Sequence, residues 1–101
     1  MSQDILTRPK TNTSFKEPPL FKIIYLNDNV TTMGFVVSSL MDHFDYTQET
    51  AIHIMQDIHN EGSAVVAVLP YELAEQKGIE VTVSARANDF PLQVKLEPEA
   101  Q

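Results

Sequence analysis

Asn27, Asp28 and Asn29 form three consecutive oxygen-bearing side chains directly after the apolar run Phe21-Lys22-Ile23-Ile24-Tyr25-Leu26. Such a triplet is turn-forming material. It is equally a small cup of acceptors, because an amide oxygen beside a carboxylate can take the three donors of a primary ammonium. A calcium loop does not fit, since the alternating acidic pattern with its glycine and distal glutamate is missing. Farther along, Met55, Ile58 and His59 fall at i, i+3 and i+4, so a helix there sets an imidazole on one face with two apolar side chains. That histidine can be a packed or capping residue near a helix end, or an acceptor for a ligand. Met33 and Met55 are core material or, being unbranched and polarizable, the lining of an adaptable pocket. Asp28 with His59 is the one acid–base pair on offer, and no nucleophile motif, phosphate loop or metal accompanies it, so no enzyme is expected.

Other chemistries are narrowed by composition. The chain has 101 residues and no cysteine, which removes disulfides, thiolate zinc sites and thiol nucleophiles. Joint zinc binding by His53 and His59 is not expected, because six helical positions put them about 240° apart around the axis. Neither a metal nor another cofactor is expected. Fourteen acidic residues against seven basic ones give a net charge of −7, and with the basic residues scattered, nucleic acid is not an expected partner. There is no apolar stretch of the roughly 20 residues a membrane span needs, nor a secretory signal pattern. A cytoplasmic location and no membrane partner are expected.

The elements that must position these side chains follow from periodicity. Residues 1–19 mix Thr, Ser, Asn, Lys and Pro and end in Glu17-Pro18-Pro19, which reads as a disordered N-terminal arm. Residues 20–101 form the single folded domain. Its first strand is Phe21–Leu26. Thr31 or Thr32 caps a first helix whose apolar positions Met33, Val36, Val37, Leu40 and Phe44 make one stripe. Thr47 caps a second helix, with Glu49 in its first turn and Ala51, Ile54, Met55 and Ile58 as its stripe, and Gly62 ends it. Ala64–Leu69 is a second strand. A third helix begins at Pro70 with the stripe Tyr71, Ala74, Gly78, Val81 and Ala85, although Ile79–Val83 alternates as a strand would. Pro91–Leu96 closes the sheet. The order β-α-α-β-α-β gives an α+β fold, with the helices packed on one face of a three-stranded antiparallel sheet.

These residues also resemble a family. Leu26-Asn27-Asp28-Asn29-Val30-Thr31-Thr32-Met33-Gly34-Phe35-Val36-Val37 is similar to the (V/L)NDDxTxMxFV signature of the Clp protease adaptor ClpS. Met55 to Gly62 resembles its Mxx(V/I)HxxG helix end, and Glu72 to Lys77 its ExAExK helix. The chain departs from the pattern at Asn29, where the second Asp is usual, at Thr32, where Pro is common, and at Gly78, which interrupts a helix the family keeps regular.

The resemblance implies a domain similar to the C-terminal domain of the ribosomal stalk protein. It implies an adaptor that binds N-degron substrates by a free N-terminal Leu, Phe, Tyr or Trp and delivers them to a ClpA-type AAA+ unfoldase of the ClpP protease, modulating its substrate choice. Asn27, Asp28 and His59 would then hold the substrate's α-amino group. Met33, Val36, Met55, Ile58 and Leu92 would form the hydrophobic pocket, with Asn29 and Thr31 at its rim. Glu72 and Lys77 fall where the family contacts the unfoldase's N-terminal domain, the arm matches the extension that enters the unfoldase pore, and a monomer is expected. The alternative is a stalk-domain-like interaction module that does not read amino termini.

Overall fold

The β-branched and aromatic run Leu20–Leu26 forms strand β1 in a computed structural model that describes residues 18–99. The other elements follow as α1 (Met33–Phe44), α2 (Gln48–Glu61), β2 (Ser63–Pro70), α3 (Tyr71–Ala87) and β3 (Gln93–Pro98). β1 is the central strand of an antiparallel sheet ordered β2-β1-β3. Tyr25 pairs with Ala64 on one side and Val94 on the other. The β1–β2 register shifts between Ile23 and Ile24, leaving Val66 as the extra residue of a bulge. The Tyr46 hydroxyl, from the α1–α2 connection, donates to the Val66 carbonyl and ties the helical hairpin to that bulge.

The period of two along β1 turns Ile23 and Tyr25 toward the helices, where both are fully buried. They pack with Val36 and Leu40 of α1, Ala51 and Ile58 of α2, and Ala74, Val81 and Ala85 of α3 in one core. Tyr25 keeps a partner in that core, its hydroxyl lying 2.9 Å from Ser39 Oγ. Burial drives its pKa up to about 12, against the smaller opposing effect of the Ser39 hydrogen bond.

Caps set the helix ends. Thr32 and Thr47 side chains accept from the N–H groups of Phe35 and Thr50. Gly62, at φ 92°, closes α2 in the left-handed conformation a side chain would oppose. β2 begins one residue earlier and ends one later than the apolar run alone indicates. β3 is displaced from Pro91–Leu96 to Gln93–Pro98, with Pro91 and Leu92 finishing the turn from α3.

Gly78 does not interrupt α3, which runs unbroken from Tyr71 to Ala87. The alternation around it has a helical cause: Val81 is buried, while Ile79 and Val83 are 57% and 63% exposed, because residues two apart on a helix point about 200° apart. Of the expected N-terminal arm, residues 1–17 lie outside the described residues. Within 18–99 no helix is long and apolar enough to cross a membrane.

Candidate functional site

The loop between β1 and α1 is shaped from within by Asp28. One carboxylate oxygen accepts from Val30 N–H at 2.8 Å and Thr31 N–H at 2.6 Å, and the other accepts from the Thr31 hydroxyl at 2.8 Å. Partial burial alone would raise the Asp28 pKa. The Thr31 and Val30 hydrogen bonds and the nearby Arg86 guanidinium outweigh it, so the carboxyl sits below its ordinary value. Three of its roughly four acceptor positions are occupied by the loop, leaving about one for anything else.

A backbone hydrogen bond brings the distant half of the site to this loop. Asn27 N–H donates to the Gly62 carbonyl at 2.9 Å, so the end of β1 is fastened to the end of α2. His59, in the last turn of α2, thereby stands over the Asn27–Thr32 loop. Its ring has no hydrogen-bond partner among the described residues, and the same is true of the Asn27 side chain.

The result is one cavity of about 490 Å³. Asn27, Asp28, Asn29, Thr31, Thr32 and His59 supply polar atoms to it, and Val30, Met33, Val36, Met55 and Ile58 supply apolar surface. Val36 and Ile58 are 6% and 3% exposed and make the floor, whereas Met33 is 48% exposed and stands at the mouth. Among the described residues, Asp28 contributes the one formal negative charge of the lining. The C-terminal end of α2 adds the partial negative charge of a helix dipole. The arrangement suits a ligand with a cationic, donor-rich head and an apolar side chain a few ångströms away.

Nine of the ten residues expected at the site line this cavity. The tenth, Leu92, is 1% exposed and belongs to the same core cluster as Val36 and Ile58. Val30 and Thr32 were not expected in the lining, and their signal was simple adjacency within the loop. Glu72 and Lys77 lie on α3, away from the cavity. Five helical positions set them about 140° apart around the axis, Glu72 exposed and Lys77 half-buried. Among the described residues no group of three or more His, Asp or Glu side chains is placed to hold a metal.

Fold and site together define a small α+β domain with a half-polar, half-apolar receptor cavity between a strand end and a helical hairpin. The family model of the ATP-dependent Clp protease adaptor protein ClpS matches residues 16–95, and the chain belongs to that family. The ClpS adapter protein of Acetivibrio thermocellus is 41% identical over 99 residues, covering 98% of this chain and all of the relative. That of Myxococcus xanthus is 38% identical, covering 94% and 89%. Agrobacterium tumefaciens ClpS2, solved bound to L-phenylalaninamide, superposes with a TM-score of 0.80 at 37% identity, covering 82% of this chain and all of that one.

Proposed function

We propose that the cavity receives the free, bulky hydrophobic N-terminal residue of substrate proteins, Leu, Phe, Tyr or Trp, for delivery to a ClpA-type AAA+ unfoldase in the cytoplasm. The observation that carries this reading is the juxtaposition, in one cavity, of Asn27, Asp28 and His59 with the apolar Met33, Val36, Met55 and Ile58. An α-ammonium has three donors to place, and these three side chains offer acceptors for them. The ligand of the Agrobacterium relative, an amino-acid amide with a free amino group and an aromatic side chain, has the same two parts. Asn29 and Thr31 form the rim, and Leu92 belongs to the core cluster that holds the floor. Glu72 and Lys77 are the contacts offered to the unfoldase's N-terminal domain, residues 1–19 act in delivery, and the adaptor works as a monomer.

Burying one Leu or Phe side chain contributes about 1.5 to 3 kcal/mol, and each hydrogen bond to a charged group about as much again. After the cost of association, this supports affinities on the order of micromolar. Fluorescence anisotropy with a Phe-initiated peptide tests the reading. Acetylating its amino group and, separately, His59→Ala should each weaken binding about tenfold or more, with the melting temperature of the variant held. Equal binding of the free and acetylated peptides would show that the cavity does not read amino termini, which is what a stalk-domain-like interaction module would do.

A further inference from the structure

A second cavity adjoins the first. It is a groove of about 460 Å³ between α1 and α2, walled by Met33, Val37 and Met41 on one side and Ile52 and Met55 on the other. Met33 and Met55 line both cavities, so the two adjoin at a pair of flexible thioethers. We propose that this groove is a subsite for the substrate residues immediately after the first, taking apolar side chains at the second and third positions. The proposal rests on the amino-terminal reading above and adds to it a preference that the first cavity cannot supply.

Continuity is the first reason. A chain whose first side chain sits against Val36 and Ile58 has to leave the cavity, and the wall formed by Met33 and Met55 is the apolar way out. Two other recesses adjoin the first cavity and both are more polar: one of about 260 Å³ is lined by Leu26, Asn27, Asp28, Pro91 and Gln93, and one of about 500 Å³, reached past Val30, carries Arg86, Asp89 and Gln93. Length is the second. Met33 and Met41 are eight positions apart on α1, about 12 Å along the axis, the reach of some three to four extended residues. Met33 and Met41, 48% and 37% exposed, are the adaptable side chains that accept varied apolar partners.

Gly34 is the third reason. A Cβ built there meets nothing within 4 Å, so the groove is open over the first turn of α1, and a peptide can approach that backbone closely. Charge is the fourth. Residues 33–61 contain Asp42, Asp45, Glu49, Asp57 and Glu61 and no Lys or Arg. None of these carboxylates lines the groove itself; they set the charge of the helical hairpin around it, which a segment carrying basic rather than acidic residues complements.

The test uses the full-length chain and three C-terminally labelled peptides that differ only at the start: Phe-Leu-Leu, Phe-Ser-Ser and acetylated Phe-Leu-Leu. Two variants alter the groove without touching the first cavity. Met41→Ser removes apolar wall, and Gly34→Gln fills the open space with a good helix former. The expected result is that the unaltered protein binds Phe-Leu-Leu about fivefold or more tighter than Phe-Ser-Ser. Each variant should shrink that ratio below about twofold while leaving Phe-Ser-Ser affinity unchanged. A ratio near one in the unaltered protein, or a ratio that either variant leaves intact, overturns the subsite. The acetylated peptide separates the two levels: loss of its binding beside a ratio near one sinks the groove alone, whereas undiminished binding sinks the amino-terminal reading and the groove with it.

Discussion

Asp28 has two claims on its carboxylate, and the geometry ranks them. Three bonds from Val30 and Thr31 fold the loop, so the side chain is first a brace and only with its remaining acceptor position a candidate contact for an ammonium. The pKa direction gives a test. A carboxyl whose folded-state pKa is depressed contributes stability that is complete above its unfolded pKa and is lost as pH falls through the folded value. NMR titration of the Asp28 carboxyl carbon should therefore give a midpoint below the ordinary 3.8. Thr31→Val, which deletes the hydroxyl donor but keeps the shape, should raise that midpoint. A wild-type midpoint at or above 3.8 would mean the brace is weaker than its distances imply.

At the scale of elements, α3 is the helix that local propensity rates worst. Glycine in a helix interior costs about 1 kcal/mol against alanine. A Cβ at Gly78 would lie 3.7 Å from Val94 Cγ1 and 3.9 Å from Leu96 Cδ2, ordinary packing distances rather than a clash. Gly78→Ala should accordingly stabilise the domain by about 0.5 to 1 kcal/mol and raise its melting temperature by several degrees. A lower melting temperature would show that α3 and β3 approach more tightly than these distances allow. The helix survives its glycine because Ala74, Val81 and Ala85 are all buried against the sheet, and tertiary packing outweighs a single unfavourable propensity.

For the molecule as a whole, every cavity-lining residue among those described lies beyond position 26, so, on the proposed function, reading a terminus and delivering it should be separable. Removing residues 1–17 should leave the affinity for a Phe-initiated peptide within about a factor of two, since distant changes add nearly independently. Degradation of a Phe-initiated reporter by the reconstituted unfoldase and peptidase should nevertheless collapse. Full-rate delivery by the truncated adaptor would remove the N-terminal segment from the mechanism.

Local chemistry settled much of this protein in advance. The capping threonines, the terminating Gly62 and the stripes of α1 and α2 obey rules that act within a few residues, so those helices and the pairing of Met55 and Ile58 with His59 were legible from spacing alone. The spaced motifs, read as a resemblance, named nine of the lining residues, while they missed Val30 and Thr32 and added Leu92. Other features depended on contacts between residues far apart in the chain. The junction of the Asn27–Met33 loop with the Met55–His59 turn needs β1 paired beside β2 and Asn27 N–H on the Gly62 carbonyl. The shift of β3 to Gln93–Pro98 is fixed by its register against β1, and the placement of Leu92 by how the turn from α3 enters the core. Spacing likewise could not show that Asp28 spends most of its acceptor capacity on its own loop. Short-range propensities see only neighbours along the chain, whereas a cavity is the space left where segments some 30 positions apart are held together by packing and hydrogen bonds.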